Sequence, residues 1–201
     1  MSSSEARAPE ALSRIGPNAI TRVAEALEAI QGPTETVFAQ AGLTHYLAEL
    51  PEEMVDERDV TALQRALRAE LDRDTARAVG WDAGLRTGDY LLAHRIPKPA
   101  QRILKLLPSR PASQMLLKAV AKHAWTFSGS GHFSYQVGRP VQVWIADCPL
   151  CRGARAEVPV CDFYRGAFER LFTTLVNPRT QVRETQCQAM GAEACLFEMR
   201  W

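Results

Sequence analysis

TQVRETQCQAMGAEACLFEMRW, residues 180–201, alternates polar and apolar side chains, turns at Gly191 and then alternates again. A period of two is the pattern of a half-buried strand. The stretch therefore predicts two strands, TQVRETQC and CLFEMRW, folded back on one another. Cys187 and Cys195 fall at facing ends of that hairpin, and Glu184 stands three residues before the first of them.

Working outward, residues 161–176 predict a helix. Tyr164, Phe168, Leu171, Phe172 and Leu175 make one apolar face, Cys161 stands at its start and Asn177-Pro178 ends it. Before it, FSYQV and VQVWIA alternate on either side of Gly138-Arg139-Pro140, a second hairpin. Further upstream the spacing is helical. Ile20–Ile30 reads as an amphipathic helix ended by Gly32-Pro33, and TETVFAQAGL reads as a second, short one. An acidic loop follows from Glu49 to Asp59. Residues 60–92 are helical again, interrupted by Gly80, Gly84 and Gly88, as one kinked helix or two shorter ones. Two more helices are expected in residues 96–125, broken at Pro108 and Pro111, with Ser113 as an N-cap.

The order of helices, hairpin, helix, hairpin predicts an α+β fold with an antiparallel sheet. Residues 1–110 would form a helical region packed on an α+β core of residues 111–201, the two integrated as one domain, with residues 1–12 a frayed tail.

The 201 residues carry a formal net charge of +1, which gives no argument for nucleic acid as a partner. The start, MSSSEARAPEAL, lacks the charged and apolar segments of a secretory signal, and no run is long enough to span a membrane. The expected compartment is the cytoplasm. A reducing cytoplasm disfavours disulfides, and all five cysteines, Cys148, Cys151, Cys161, Cys187 and Cys195, fall in the last 54 residues. That clustering favours metal ligation over incidental core use.

Cys161, Glu184, Cys187 and Cys195 would make an acceptable tetrahedral zinc set of three sulfurs and one carboxylate. The helix dipole would favour thiolate at Cys161. In a regular strand, however, residues 184 and 187 point to opposite faces, so both can bind one ion only if the strand ends or bulges between them. Cys148 and Cys151, in CPLC, are a competing half-site that would give an all-cysteine set with Cys187 and Cys195. They could also form a redox pair, although no βαβ context surrounds them. Small buried hydrophobes are the plain alternative.

E-x2-C-x7-C, with a further cysteine 26 residues before its first Cys, resembles the 4-vinyl reductase domain family. Related sensor domains of aromatic-responsive bacterial regulators share the arrangement. In the zinc-binding members these four residues are the ligands, which implies structural zinc on Cys161, Glu184, Cys187 and Cys195. The likeness is most specific over residues 125–200, including DCPLCRG and CQAMGAEACLFE. With SRIGPNAITRV and the helical half, the whole chain is similar to members from bacteriochlorophyll biosynthesis. The resemblance implies a photosynthetic bacterium, a Mg-tetrapyrrole of the protochlorophyllide or chlorophyllide type as ligand, other pathway enzymes as partners, and a homodimer.

Between Tyr90 and Ala146 there is no Asp or Glu, while Arg95, Lys98, Arg102, Lys105, Arg110, Lys118, Lys122 and Arg139 are present. These are either solvated helix faces or a surface for an anionic ligand, a membrane edge or a protein partner. A tetrapyrrole site needs aromatic walls, an edge cation and an axial donor. The same window supplies His123, Trp125, Phe127, His132, Tyr135 and Trp144 as the expected ligand-binding residues. The family name implies reduction of a ring vinyl group, with NADPH as donor. GSGHFS does not match G-x-G-x-x-G, and neither a Walker A nor a flavin signature occurs. A tetrapyrrole carrier or presenter is therefore preferred, with the vinyl reductase and a small-molecule sensor as alternatives.

Overall fold

The computed structural model describes residues 13–201, so the expectation of a frayed tail over 1–12 lies outside the described residues. A two-residue strand, β1 (Arg14–Ile15), leads into α1 (Asn18–Ala29), α2 (Thr34–Ala41) and the single turn α3 (His45–Ala48). Strand β2 (Val55–Asp56) pairs antiparallel with β1, and α4 (Glu57–Glu70) and α5 (Arg73–Tyr90) follow. After a π-helical turn at Leu91–Arg95 come α6 (Lys98–Leu106), α7 (Ser109–Lys122) and the short α8 (Trp125–Ser128). Strands β3 (His132–Val137) and β4 (Val141–Ala146), helix α9 (Asp162–Leu175), and strands β5 (Gln181–Gln186) and β6 (Ala194–Arg200) complete the chain. The fold is α+β.

The larger sheet has the order β3-β4-β6-β5 with every pairing antiparallel, so the second hairpin lies beside the first through β4 and β6. Alternation along the two central strands sorts their side chains. Val141, Val143 and Ile145 of β4 and Cys195, Phe197 and Met199 of β6 are buried beneath the helices. Tyr164 of α9 joins the layers: its ring meets those of Phe127, Phe168 and Phe197, and its hydroxyl donates to the Phe127 carbonyl at 2.6 Å.

Residues 60–92 are not divided at their glycines. The break falls at Leu71-Asp72, where the Asp72 carboxylate accepts from the backbone N–H groups of Asp74 and Thr75 at 3.1 and 3.0 Å. Such a cap is worth about 1 kcal/mol. Gly80, Gly84 and Gly88 lie within the continuous α5, spaced four apart on one face, and that face receives α9. A Cβ on Gly84 would fall on the Phe163 carbonyl and 2.9 Å from the Ala167 amide nitrogen. One on Gly166 of α9 would fall on the Trp81 carbonyl. The two helix backbones touch where both helices carry glycine.

The break expected at Pro111 is also corrected. Helix α7 starts at Ser109, and Pro111 occupies its first turn, where a missing N–H costs no intrahelical bond. Ser113 is no cap; it is buried and its hydroxyl donates to the Ser109 carbonyl at 2.7 Å. The acidic loop is shorter than its charge suggests, because Asp56 caps α4 and Glu57 and Asp59 lie in its first turn.

Glu57 ties three parts of the chain together. Its carboxylate accepts from the Ser130 backbone N–H and hydroxyl, each at 2.8 Å, and from the Arg152 guanidinium at 2.8 Å. Burial works against its ionisation, but the Ser130 and Arg152 donors outweigh that and hold its pKa below the ordinary glutamate value. A depressed folded-state pKa gives stability that is present above the unfolded value and lost as pH falls through the folded one. Wild type should therefore lose stability more steeply below about pH 4.5 than Glu57→Gln, as read from denaturant midpoints between pH 3 and 7. Parallel curves for the two proteins would show that the charge on Glu57 contributes nothing.

Candidate metal centre

All five cysteines are buried and free of disulfides. Their sulfurs converge where the start of α9, the end of β5, the start of β6 and the CPLC loop meet. Cys161 is the N-cap of α9, Cys187 follows the last residue of β5, and Cys195 is the second residue of β6. The pairing of β5 shifts register between Glu184 and Gln186, a bulge that ends the regular alternation. That irregularity lets Glu184 and Cys187 face the same point, the condition their spacing imposed.

The Sγ atoms of Cys161, Cys187 and Cys195 form a triangle with edges of 3.7, 3.8 and 4.0 Å. A tetrahedral ion with metal–sulfur bonds of about 2.3 Å requires sulfurs about 3.8 Å apart. Glu184 supplies the fourth group. Its Oε2 accepts from the Cys161 backbone N–H at 2.8 Å, while its Oε1 is buried with no partner. Burial first, and then the negative charge of Cys187, push this carboxyl up to about 9. An ion at the centre of the triangle would satisfy the orphaned oxygen and reverse that shift.

Cys148 and Cys151 complete a second possible set. Cys148 Sγ is 3.6 Å from Cys161 Sγ, and Cys151 Sγ is 3.5 Å from Cys195 Sγ. Two groups of four, Cys148–Cys151–Cys161–Cys195 and Cys161–Glu184–Cys187–Cys195, each bring their donor atoms within 4.8 Å of one another. Either could hold a metal ion, and Cys161 and Cys195 belong to both. The all-cysteine set read from the sequence combined the CPLC pair with Cys187 and Cys195; the structure adds Cys161 to that pair instead of Cys187.

Three supporting residues escaped the sequence reading. Thr61 and Arg68 of α4 donate to the Pro149 and Leu150 carbonyls at 2.8 and 3.0 Å, holding the CPLC loop. Burial lowers the Arg68 pKa, and the cysteines, Cys161 foremost, act in the opposite sense. Arg68 is thus a cation set close to a cluster that carries negative charge once its thiols ionise. Gln188 receives the Cys148 backbone N–H on its side-chain oxygen at 2.7 Å, and its own backbone N–H points at Cys195 Sγ at 3.5 Å. A signal for Arg68 was present: Val60, Gln64 and Arg68 are four apart, so two polar residues share the apolar stripe of α4.

The six residues expected to bind ligand are split between two faces. Phe127 and Tyr135 lie on the helix side of the sheet around Phe133, with ring centroids 5.6 and 6.2 Å from it. The Tyr135 hydroxyl accepts from Gln114 at 3.3 Å. His132 and Trp144 lie on the opposite face, on neighbouring strands where Ser134 pairs Trp144 and His132 pairs Ala146. His123 and Trp125 are exposed beside α8, Trp125 with 60% of its surface free. No described helix is long and apolar enough to cross a membrane.

Residues 141–200, which include both central strands and all five cysteines, match the model of the 4-vinyl reductase domain. Over nearly its full length the chain is 43% identical to the bacteriochlorophyll synthase 23 kDa chain of Cereibacter sphaeroides, covering 95% of this chain and 92% of that one. This chain belongs to the bacteriochlorophyll synthase 23 kDa chain family. The Rhodobacter capsulatus protein of the same name is 40% identical over 92% of this chain and 85% of its own. Among solved structures, an H-NOX protein from S. oneidensis superposes with a TM-score of 0.51. The match covers 92% of this chain and 98% of that one at 9% identity, so the likeness is one of fold alone.

Proposed function

We propose that this chain serves bacteriochlorophyll synthesis by binding a Mg-tetrapyrrole intermediate of the protochlorophyllide or chlorophyllide type and presenting it to other enzymes of the pathway. The observation that carries this reading is the 43% identity across 95% of the chain to a protein named as a chain of bacteriochlorophyll synthase. In this reading the cysteine cluster holds structural zinc through Cys161, Glu184, Cys187 and Cys195, chosen for the sulfur triangle and the orphaned Glu184 oxygen. Four protein donors leave no open position on the ion. It would pin helix to hairpin and take no part in ligand chemistry.

The ring is assigned to the open face of the larger sheet. Trp144 and His132 are diagonal neighbours there, close enough for one flat ligand to meet both. The His132 side chain is 81% exposed, and its Nδ1 lies 3.8 Å from the Asp147 carboxylate. A carboxylate at one imidazole nitrogen orients the ring and leaves the other for a metal, here the magnesium of the ligand. Phe127 and Tyr135 back the sheet from beneath, and His123 and Trp125 border it at α8. Helix α6 turns Lys98, Arg102 and Lys105 outward beside Ile103 and Leu106, the latter 86% exposed. Apolar side chains flanked by cations suit the surface of an anionic membrane, where such a carrier would collect and release its ligand.

Purified protein mixed with a divinyl Mg-tetrapyrrole should shift the ligand's absorption bands. With NADPH added, the vinyl groups should remain intact. Trp144→Ala should weaken binding about tenfold, given the ~0.5–1.5 kcal/mol of an aromatic stack plus its buried area. His132→Ala should remove the part of the band shift that axial ligation causes. Ethyl product would instead establish a vinyl reductase, and an unshifted spectrum would refute tetrapyrrole binding.

A further inference from the structure

Apart from the cysteine cluster and the sheet face, the chain has a cleft of about 280 Å³ between α4, α5 and residues 155–162. Four arginines line it: Arg68 from α4, Arg73 and Arg77 from α5, and Arg155 from the loop. Asp162 and Glu157 are the acids there, and Asp162 is already bonded to Arg77 at 3.0 Å and Arg165 at 3.2 Å. Arg155 has no ion pair among the described residues. Gln64 also lines the cleft; it is 3% exposed, and its amide nitrogen is buried with no hydrogen-bond partner.

A buried donor without a partner is uncommon because it forfeits its hydration for nothing. Four guanidinium groups around one hollow repel each other unless an anion joins them. Leu67, Val158 and Val160 supply an apolar wall. We infer that this cleft binds an oxyanion, a carboxylate or phosphate group on a short apolar stem, held by Arg68, Arg77 and Arg155 with the Gln64 amide as a further donor. Arginine suits this task because its planar fork matches both groups. At about 280 Å³ the cleft lies just below the range of pockets for drug-sized ligands, so it accommodates an acid arm or a small anion and excludes a macrocycle.

The cleft is also tied to the cysteine cluster. Its wall from Arg155 to Val160 is strung between Cys151 and Cys161, and Arg68 bonds the Leu150 carbonyl. Ordering of the cluster by metal would therefore order one side of the anion site.

The test is a titration of the zinc-replete protein with sodium phosphate and, separately, sodium propionate, followed by backbone amide resonances of residues 64–80 and 155–162. Saturable shifts are expected in wild type. Affinity should fall at least fivefold in Arg155→Ala, whose side chain holds nothing else in place. Gln64→Leu should show the same loss while keeping or raising the thermal midpoint, because it removes an unpaired buried amide. Absence of saturable shifts, or equal affinity in both variants and wild type, would overturn the inference. A second arm adds Mg-protoporphyrin and its dimethyl ester as competitors. Displacement of phosphate by the free acid alone makes the tetrapyrrole's propionate the natural anion. Phosphate binding untouched by either competitor upholds the cleft as a site for a separate small anion, even if no tetrapyrrole binds anywhere on the chain.

Discussion

Cys195→Ser is expected to purify without stoichiometric metal and to melt about 10–20 °C below wild type. The reasoning begins with the cluster's position. Cys195 belongs to both possible donor sets, and its sulfur lies within 3.8 Å of those of Cys151, Cys161 and Cys187. Structural zinc contributes ~10–16 kcal/mol of apparent binding energy in zinc-finger peptides, where metal and folding are inseparable. This chain has a helical core of its own, so a loss nearer ~5 kcal/mol is expected, and at about 2–4 °C per kcal/mol that gives the stated shift. Two milder variants divide the candidate ligands. With Cys161, Glu184, Cys187 and Cys195 as the set, Cys187→Ser should behave like Cys195→Ser while Cys151→Ser keeps its metal. The reverse outcome would assign the ion to the CPLC pair.

Gly84→Val is expected to leave no cooperatively folded protein, and Gly84→Ala to cost ~3 kcal/mol, the upper end for overpacking a filled interior. The obstacle at this position is backbone: the Phe163 carbonyl and the Ala167 amide lie where a side chain would begin. Neither can turn aside as a side chain does, so α5 and α9 would have to separate. The separation would be felt at Cys161, the N-cap of α9, and hence at the metal centre. Ala78→Val, on the exposed side of α5, is the control and should change stability by well under ~1 kcal/mol. Thermal and urea melts of the three variants measure this; a Gly84→Ala midpoint equal to wild type would mean the helices are not in backbone contact.

The glycines show where sequence reading stops. Local rules treat Gly80, Gly84 and Gly88 as helix breakers, since each costs up to ~1 kcal/mol in a helix interior. The gain that offsets this cost lies in a helix about 80 residues further on, which no local pattern reveals. Both hairpins were legible because a period of two survives in FSYQV, VQVWIA and CLFEMRW. The cysteine cluster was legible because thiols near a turn have few other uses in a reducing compartment.

What remained hidden depends on three-dimensional detail. The bulge between Glu184 and Gln186 turns a forbidden spacing into a shared site, and nothing in RETQC announces it. CPLC looks like a rival half-site and proves to pack against the same sulfurs. Arg68 and Gln64 read as helix surface, although their four-residue spacing from Val60 already places them on the buried stripe. Ligand-binding expectations drawn from WTFSGSGHF group residues adjacent in sequence. Strand alternation sends His132 to one side of the sheet and Phe133 and Tyr135 to the other.

Metal content of the wild-type protein, purified under reducing conditions without added metal, tests the central claim most directly. One zinc per chain is predicted, released by a strong chelator in the same transition that unfolds the protein. A fully folded chain with no bound metal, five freely titrating thiols and a melting point indifferent to chelator would contradict it.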